Sequence, residues 1–259
     1  MKKLIIGNLK MNLLTIAERQ QYLESFQQEL KKLARGKTEI VLCPPFVHLE
    51  KFAQILKSEK VSMGGQNIFW EEKGSFTGEI SATMLKSVGC SYVIVGHSER
   101  RKYFGENGEI INTKIKQALE NDLVAIVCVG ESKEEKENGQ TSEIIAQQIK
   151  QSLMGINAGK VEKIVLAYEP IWSVGSDAIP TSDEILVVKI IIKKMLIEKY
   201  GTEVAGKVKI IYGGSVTANT ATQVCIGPQM DGVLVGRESL VPSEFLKIAS
   251  IINAIRNYE

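Results

Sequence analysis

The chain has 259 residues, 44% hydrophobic and 24% charged, with 32 Lys and Arg against 30 Asp and Glu for a formal net charge of +2. Near-neutral charge with acids and bases interspersed offers no electrostatic footprint for nucleic acid or an anionic membrane, and no run approaches the roughly 18 apolar residues of a membrane span. The four cysteines, Cys43, Cys90, Cys128 and Cys225, lack paired spacing and have mostly apolar neighbours; buried free thiols in a reducing, cytoplasmic setting are expected, not a disulfide frame or a zinc site.

The chain opens Met1-Lys2-Lys3-Leu4-Ile5-Ile6, too short an apolar stretch for a secretory signal because Gly7-Asn8 and Lys10 interrupt it. From there, apolar runs rich in Val and Ile recur at 4–9, 39–43, 61–65, 92–96, 123–129, 164–168, 208–212 and 232–235. They do not alternate apolar with polar, which predicts parallel strands buried on both faces. The intervening segments carry helical spacing: over 17–33, Leu23, Phe26, Leu30 and Leu33 share one stripe while Glu, Gln and Lys fill the rest. His48 begins a predicted helix facing Phe52 and Ile55 and is read as structural. Thr181-Ser182-Asp183-Glu184, ahead of an Ile/Leu/Val run, predicts a helix start with a Thr or Ser cap and acids in the first turn. The prolines Pro44, Pro45, Pro170, Pro180, Pro228 and Pro242 all fall between strands and helix interiors. Even β–α repetition without a linker predicts one α/β domain over 1–259, a closed (β/α)₈ barrel with eight parallel strands surrounded by helices, in preference to a doubly wound sheet.

In such a barrel ligands bind where the strands end, so the polar residues following each apolar run are the candidates. The first run ends at Asn8 and Lys10, the fourth at His97-Ser98-Glu99, the sixth at Glu169-Pro170, the seventh at Gly213-Gly214-Ser215 and the eighth at Gly236-Arg237. Glu169 is aimed over the barrel mouth as a candidate base. His97 stands at a helix start, whose positive end disfavours imidazolium and predicts a neutral ring able to give or share a proton. The glycine turns suit a phosphate, because backbone N–H groups can approach it closely. Neither a Walker A sequence nor GxGxxG is present, and no HxxH, HExxH or clustered Asp/Cys set suggests a metal. A small phosphorylated substrate processed by proton transfer, with no cofactor and no metal, is expected.

Five motifs, in order and at the proper strand ends, resemble the triosephosphate isomerase family: Gly7-Asn8-Leu9-Lys10-Met11-Asn12, Val95-Gly96-His97-Ser98-Glu99-Arg100-Arg101, Ala167-Tyr168-Glu169-Pro170-Ile171-Trp172, Tyr212-Gly213-Gly214-Ser215-Val216 and Asp231-Gly232-Val233-Leu234-Val235-Gly236. The resemblance implies the TIM-barrel fold and cofactor-independent interconversion of dihydroxyacetone phosphate and D-glyceraldehyde 3-phosphate through an enediolate. It implies Glu169 as base, His97 as the group that polarises the carbonyl, Lys10 as the cation, Asn8 as a holder of a substrate oxygen, and Glu99 behind them. It implies substrate or phosphate contacts at Asn8, Leu9, Lys10, Gly175, Ser215, Gly236 and Arg237. It also implies a homodimer in which the long 65–80 segment enters the partner and sets Thr77 beside the partner's site.

Three positions depart from the family's pattern. Leu9 stands where Trp is usual, a packing position; Asp177-Ala178, followed by Ile179-Pro180, replaces Gly-Lys at the tip of the 171–181 lid; and Arg237 replaces a second Gly. At Arg237 the expectation is that the backbone N–H serves the phosphate while the guanidinium turns outward. An isomerase of a longer sugar phosphate and a catalytically silent relative are alternatives, and intact Asn8, Lys10, His97 and Glu169 oppose the second.

Overall fold

The computed structural model describes residues 2–34, 36, 38–176 and 178–254. Among them, β1 (Lys3–Asn8) leads to α1 (Ile16–Lys32), β2 (Thr38–Cys43) to α2 (Phe46–Leu56), and β3 (Ser62–Gly65) to α3 (Ala82–Ser87). β4 (Cys90–Val95) precedes α4 (Ser98–Phe104) and α5 (Gly108–Glu120), and β5 (Val124–Val129) precedes α6 (Lys133–Glu137), α7 (Thr141–Ser152) and α8 (Ala158–Val161). β6 (Ile164–Tyr168) is followed by α9 (Ser182–Tyr200) and α10 (Thr202–Lys207). β7 (Lys209–Tyr212) and β8 (Gly232–Val235) come next, and α11 (Pro242–Ala254) is the last described helix. Each strand pairs in parallel with the next and β8 pairs with β1, closing the barrel. The strand bounds fall within two residues of those expected from the apolar runs.

The helices begin where local chemistry lets them. The Thr15 hydroxyl accepts the Glu18 N–H at the start of α1, and Thr181 and Glu184 form a reciprocal capping box at α9, so Thr181, not Ser182, is the cap. Pro242 occupies the first position of α11, where its missing N–H costs nothing.

Strand residues sort by parity into two apolar clusters. Leu4, Ile6, Val41, Ile94, Cys128, Val165, Ala167, Ile211 and Leu234 pack together inside the barrel. Ile5, Leu42, Val93, Val127, Leu166 and Val235 face outward, against helical residues such as Phe26, Phe52, Ile115, Val188 and Phe245. Truncating one such leucine to alanine typically costs about 2–5 kcal/mol, so both layers are needed. Closure depends on one glycine: a β-carbon at Gly232, paired with Leu4, would lie 1.9 Å from the Leu4 carbonyl oxygen. The four cysteines are free and buried. Among the described residues no helix is long and apolar enough to cross a membrane.

Parity also decides what reaches the mouth. Continuing the inward series past each strand's C-terminal end gives Asn8 after Ile6, Glu169 after Ala167, Gly213 after Ile211 and Gly236 after Leu234. The segment between β3 and α3 is largely irregular; Phe69 stacks on Trp70 with centroids 4.0 Å apart and meets Phe76 at 4.6 Å with the rings tilted by 45°, while Phe76 and Thr77 are exposed.

Candidate active site

A cavity of about 300 Å³ opens at the C-terminal mouth of the barrel, and Asn8, Lys10, His97, Glu169, Gly175, Ser215, Gly236 and Arg237 all line it. Three strand ends thus bring a carboxylate, an imidazole and an ammonium to one space faced by the glycine turns of two more. The remaining candidates lie elsewhere. Leu9 is fully buried in the outer apolar cluster and does not line the cavity, because it has the outward parity of Ile5 while Asn8 and Lys10 flank it; its expected substrate contact is corrected to a packing role. Thr77 is exposed and outside this chain's own cavity.

Lys10 holds a left-handed φ of 51°, a conformation that costs a side-chain-bearing residue on the order of 1–3 kcal/mol and that clusters at functional sites. Its N–H donates to the Asn8 Oδ1 at 3.1 Å, and its carbonyl accepts from Gln66 at 2.9 Å. Its ammonium donates to the Glu99 Oε1 at 2.5 Å, and the other Glu99 oxygen lies 3.6 Å from the His97 Nδ1. Glu99 therefore braces Lys10 and His97 from outside the cavity.

Glu169 and His97 are both buried and meet directly, with the Glu169 Oε1 2.9 Å from the His97 Nε2. The second Glu169 oxygen accepts the Ser98 N–H at 3.0 Å. On the far side of the ring, Nδ1 accepts the Glu99 N–H at 3.3 Å as the cap of α4, so the ring proton sits at Nε2 and faces the carboxylate. Burial disfavours the His97 cation, but the Glu169 carboxylate outweighs it and lifts the ring above its ordinary pKa. For Glu169, burial pushes the carboxyl up, and His97, the Ser98 N–H and Lys10 together hold it below its ordinary value. The helix end alone predicts a neutral ring; the adjacent carboxylate, contributed by a strand far away in sequence, reverses the direction.

The phosphate-type turns meet the lid. The Ser215 hydroxyl donates to the carbonyls of Ser173 at 2.6 Å and Ser176 at 3.1 Å. At the start of the lid, the Glu131 Oε1 accepts from the Trp172 indole at 2.9 Å and the Tyr168 hydroxyl at 3.0 Å, and Lys136 lies 3.6 Å over the Trp172 ring. At its end, Gln223 donates to the Pro180 carbonyl at 2.9 Å. Between these anchors Gly175 has a φ of 70°, Ala178 is exposed, and Asp177 lies outside the described residues. Arg237 is exposed at the mouth of the barrel. It lines the cavity, and a β-carbon on Gly175 would sit 3.8 Å from its Nη2, so the guanidinium reaches from the end of β8 to the lid.

Several supporting residues escaped the sequence reading. Glu131 follows the fifth apolar run and Gln66 the third, so the strand-end rule would have selected both. Arg101, which donates to the carbonyls of Gly96 at 2.8 Å and Cys128 at 2.9 Å and so ties β4 to β5, had no such signal.

Comparison with known proteins agrees with this geometry. A family model described as triosephosphate isomerase matches residues 3–252. The triosephosphate isomerase of Dictyoglomus turgidum is 45% identical over 249 residues, covering 95% of this chain and 98% of that protein. That of Alkaliphilus oremlandii is 42% identical over 247 residues, covering 95% and 98%. The crystal structure of triosephosphate isomerase from Bartonella henselae superposes with a TM-score of 0.85 at 34% identity, over 97% of this chain and 99% of that one. With the motifs in register and the barrel closed around them, the chain belongs to the triosephosphate isomerase family.

Proposed function

We propose that Glu169, His97, Lys10 and Asn8 divide the work of the isomerisation between them. The reaction is the interconversion of dihydroxyacetone phosphate and D-glyceraldehyde 3-phosphate, an intramolecular aldose–ketose isomerisation. The observation that carries the assignment is the buried 2.9 Å contact of Glu169 with His97 on the wall of a cavity that also holds Lys10.

Glu169 takes the proton from one substrate carbon and returns it to the neighbouring carbon. Its lowered pKa keeps it ionised and ready to accept. Both of its oxygens are engaged, one by His97 and one by the Ser98 N–H, so the carboxylate must leave them to reach a substrate carbon. That departure frees the His97 Nε2–H to donate to the substrate's carbonyl oxygen and then to move protons between the two oxygens. Without the carboxylate, burial acts unopposed on the ring and favours its neutral form. Lys10 attracts the phosphate dianion and stabilises negative charge on the enediolate, and Asn8 holds a substrate oxygen. Such fixed charges and dipoles in a water-poor site lower the barrier electrostatically, so no cofactor is invoked. Gly175, Ser215, Gly236 and Arg237 hold the phosphate. Glu99 positions Lys10 and His97 through the contacts described above.

The same reading makes the enzyme a cytoplasmic homodimer. Four buried free thiols suit a reducing compartment. Met11, Leu14, Val47, Phe76, Met84, Tyr103 and Phe104 are large, apolar and exposed, and they belong to the connections after the consecutive strands β1 to β4. An apolar side of that kind is a liability on a monomer and suits a second copy. The chain as a single domain over 1–259 belongs to this reading as well.

The test is a coupled assay run in both directions with purified protein. Turnover of both triose phosphates supports the assignment; absence of turnover, or preference for a longer sugar phosphate, rejects it.

A further inference from the structure

Arg237 begins the 3₁₀ turn Arg237–Leu240 directly after Gly236, and it is exposed at the rim of the cavity that it helps to line. Its Nη2 lies 3.8 Å from where a Gly175 β-carbon would stand on the lid. A β-carbon on Gly236 would lie 3.5 Å from the Lys10 Cε and 3.9 Å from its Nζ. Two cations therefore flank one turn, Lys10 on the side of β1 and Arg237 on the side of the lid.

The two are not equally available. The Lys10 ammonium is tied to Glu99, whereas the Arg237 side chain has no hydrogen bond or ion pair among the described residues. Glu238, its neighbour, also lines the cavity and forms no ion pair with it. A guanidinium at the cavity rim without a counter-charge from the protein is free to meet an anion that enters the cavity. Its planar fork can give a phosphate two parallel, charge-assisted hydrogen bonds, which a backbone N–H cannot.

Building on the reading of this cavity as a phosphate site, we propose that the Arg237 guanidinium binds the substrate's phosphate directly. It is a second cation opposite Lys10 and brings the occupied phosphate against the lid at Gly175. The arginine thereby raises discrimination in favour of phosphorylated over unphosphorylated substrate beyond what the turns alone supply.

The test compares wild type with Arg237→Gly, Arg237→Gln and Arg237→Lys. Thermal melts verify folding, and three readouts follow: KM for glyceraldehyde 3-phosphate, competitive inhibition by inorganic phosphate, and kcat/KM for unphosphorylated D-glyceraldehyde. Loss of a charge-assisted contact predicts that KM and the phosphate inhibition constant both rise about tenfold or more in the Gly and Gln variants. The Lys variant recovers part of the loss, and turnover of D-glyceraldehyde is unchanged. A change below about threefold in both phosphate-dependent constants, or an equal loss with D-glyceraldehyde, overturns the proposal and leaves the cavity's assignment standing. A wild-type protein neither active on triose phosphates nor inhibited by inorganic phosphate overturns both.

Discussion

The carbonyl oxygen of Glu169 occupies the space a side chain at residue 130 would need: a β-carbon on Gly130 would lie 1.8 Å from it. The pairing of β5 with β6 runs through Val129 and Tyr168, and the Glu169 N–H continues it by donating to the Val129 carbonyl at 2.8 Å. Glycine at 130 is thus what allows Glu169, the proposed base, to sit where the strand delivers it. Gly130→Ala should shift Glu169 outward, lowering kcat at least tenfold and also lowering Tm. Steady-state kinetics with a thermal melt check this, and unchanged values of both would mean that β5 yields freely.

Glu169→Asp tests the base itself. Shortening the side chain by one methylene, about 1 Å, keeps the charge but spoils proton-transfer geometry, and errors of that size can cost on the order of 100-fold. We expect kcat to fall by at least that factor with KM nearly unchanged. An unaltered kcat would remove Glu169 from the role.

The Glu169–His97 contact makes stability depend on pH in a defined direction. His97 is raised from an ordinary value of 6.5, so its contribution is fully present below that pH and is lost as pH rises through the higher folded value. Glu169 is lowered from an ordinary value of 4.5, so its contribution is present above that pH and is lost as pH falls through the lower folded value. Both act together between 4.5 and 6.5. The Tm gap between wild type and Glu169→Gln should therefore be largest at about pH 5.5 and shrink toward pH 9. A gap independent of pH across a melting series would show that the pair carries no such coupling.

Thr77 and the exposed apolar side chains after β1 to β4 predict that activity depends on association. Diluting the enzyme through the dimer dissociation range should abolish turnover as the neighbouring site loses its cover, by mass action. Thr77→Arg should move that midpoint to higher protein concentration. Sedimentation and activity measured on the same dilution series provide the comparison, and a fully active monomer would reject the dependence.

Much of the barrel was legible because parallel strands buried on both faces must be uniformly apolar, and the eight runs announce themselves. The candidate cluster was legible for a related reason. An inner strand can carry a polar group only where it emerges from the core, so Asn8, Glu169 and the glycines at 213 and 236 stand at the ends of apolar runs. Leu9 was named both as a packing position and as a substrate contact because a strand end names a neighbourhood, and only the parity of Ile5 and Ile6, fixed by which face meets the helices, turns one side chain in and the next out.

What the sequence by itself determined is therefore the set of elements and the inventory of chemistry at one rim, since both follow from local patterns of apolar and polar residues. What only the tertiary structure decided is every relationship between those ends. The partner of His97, the direction of its pKa, the bracing of Lys10 by Glu99 and the reach of Arg237 to Gly175 all depend on distances across the closed barrel. Charges interact through space as the inverse of distance, and residues 97 and 169 become neighbours only when strands four and six curve into the same mouth.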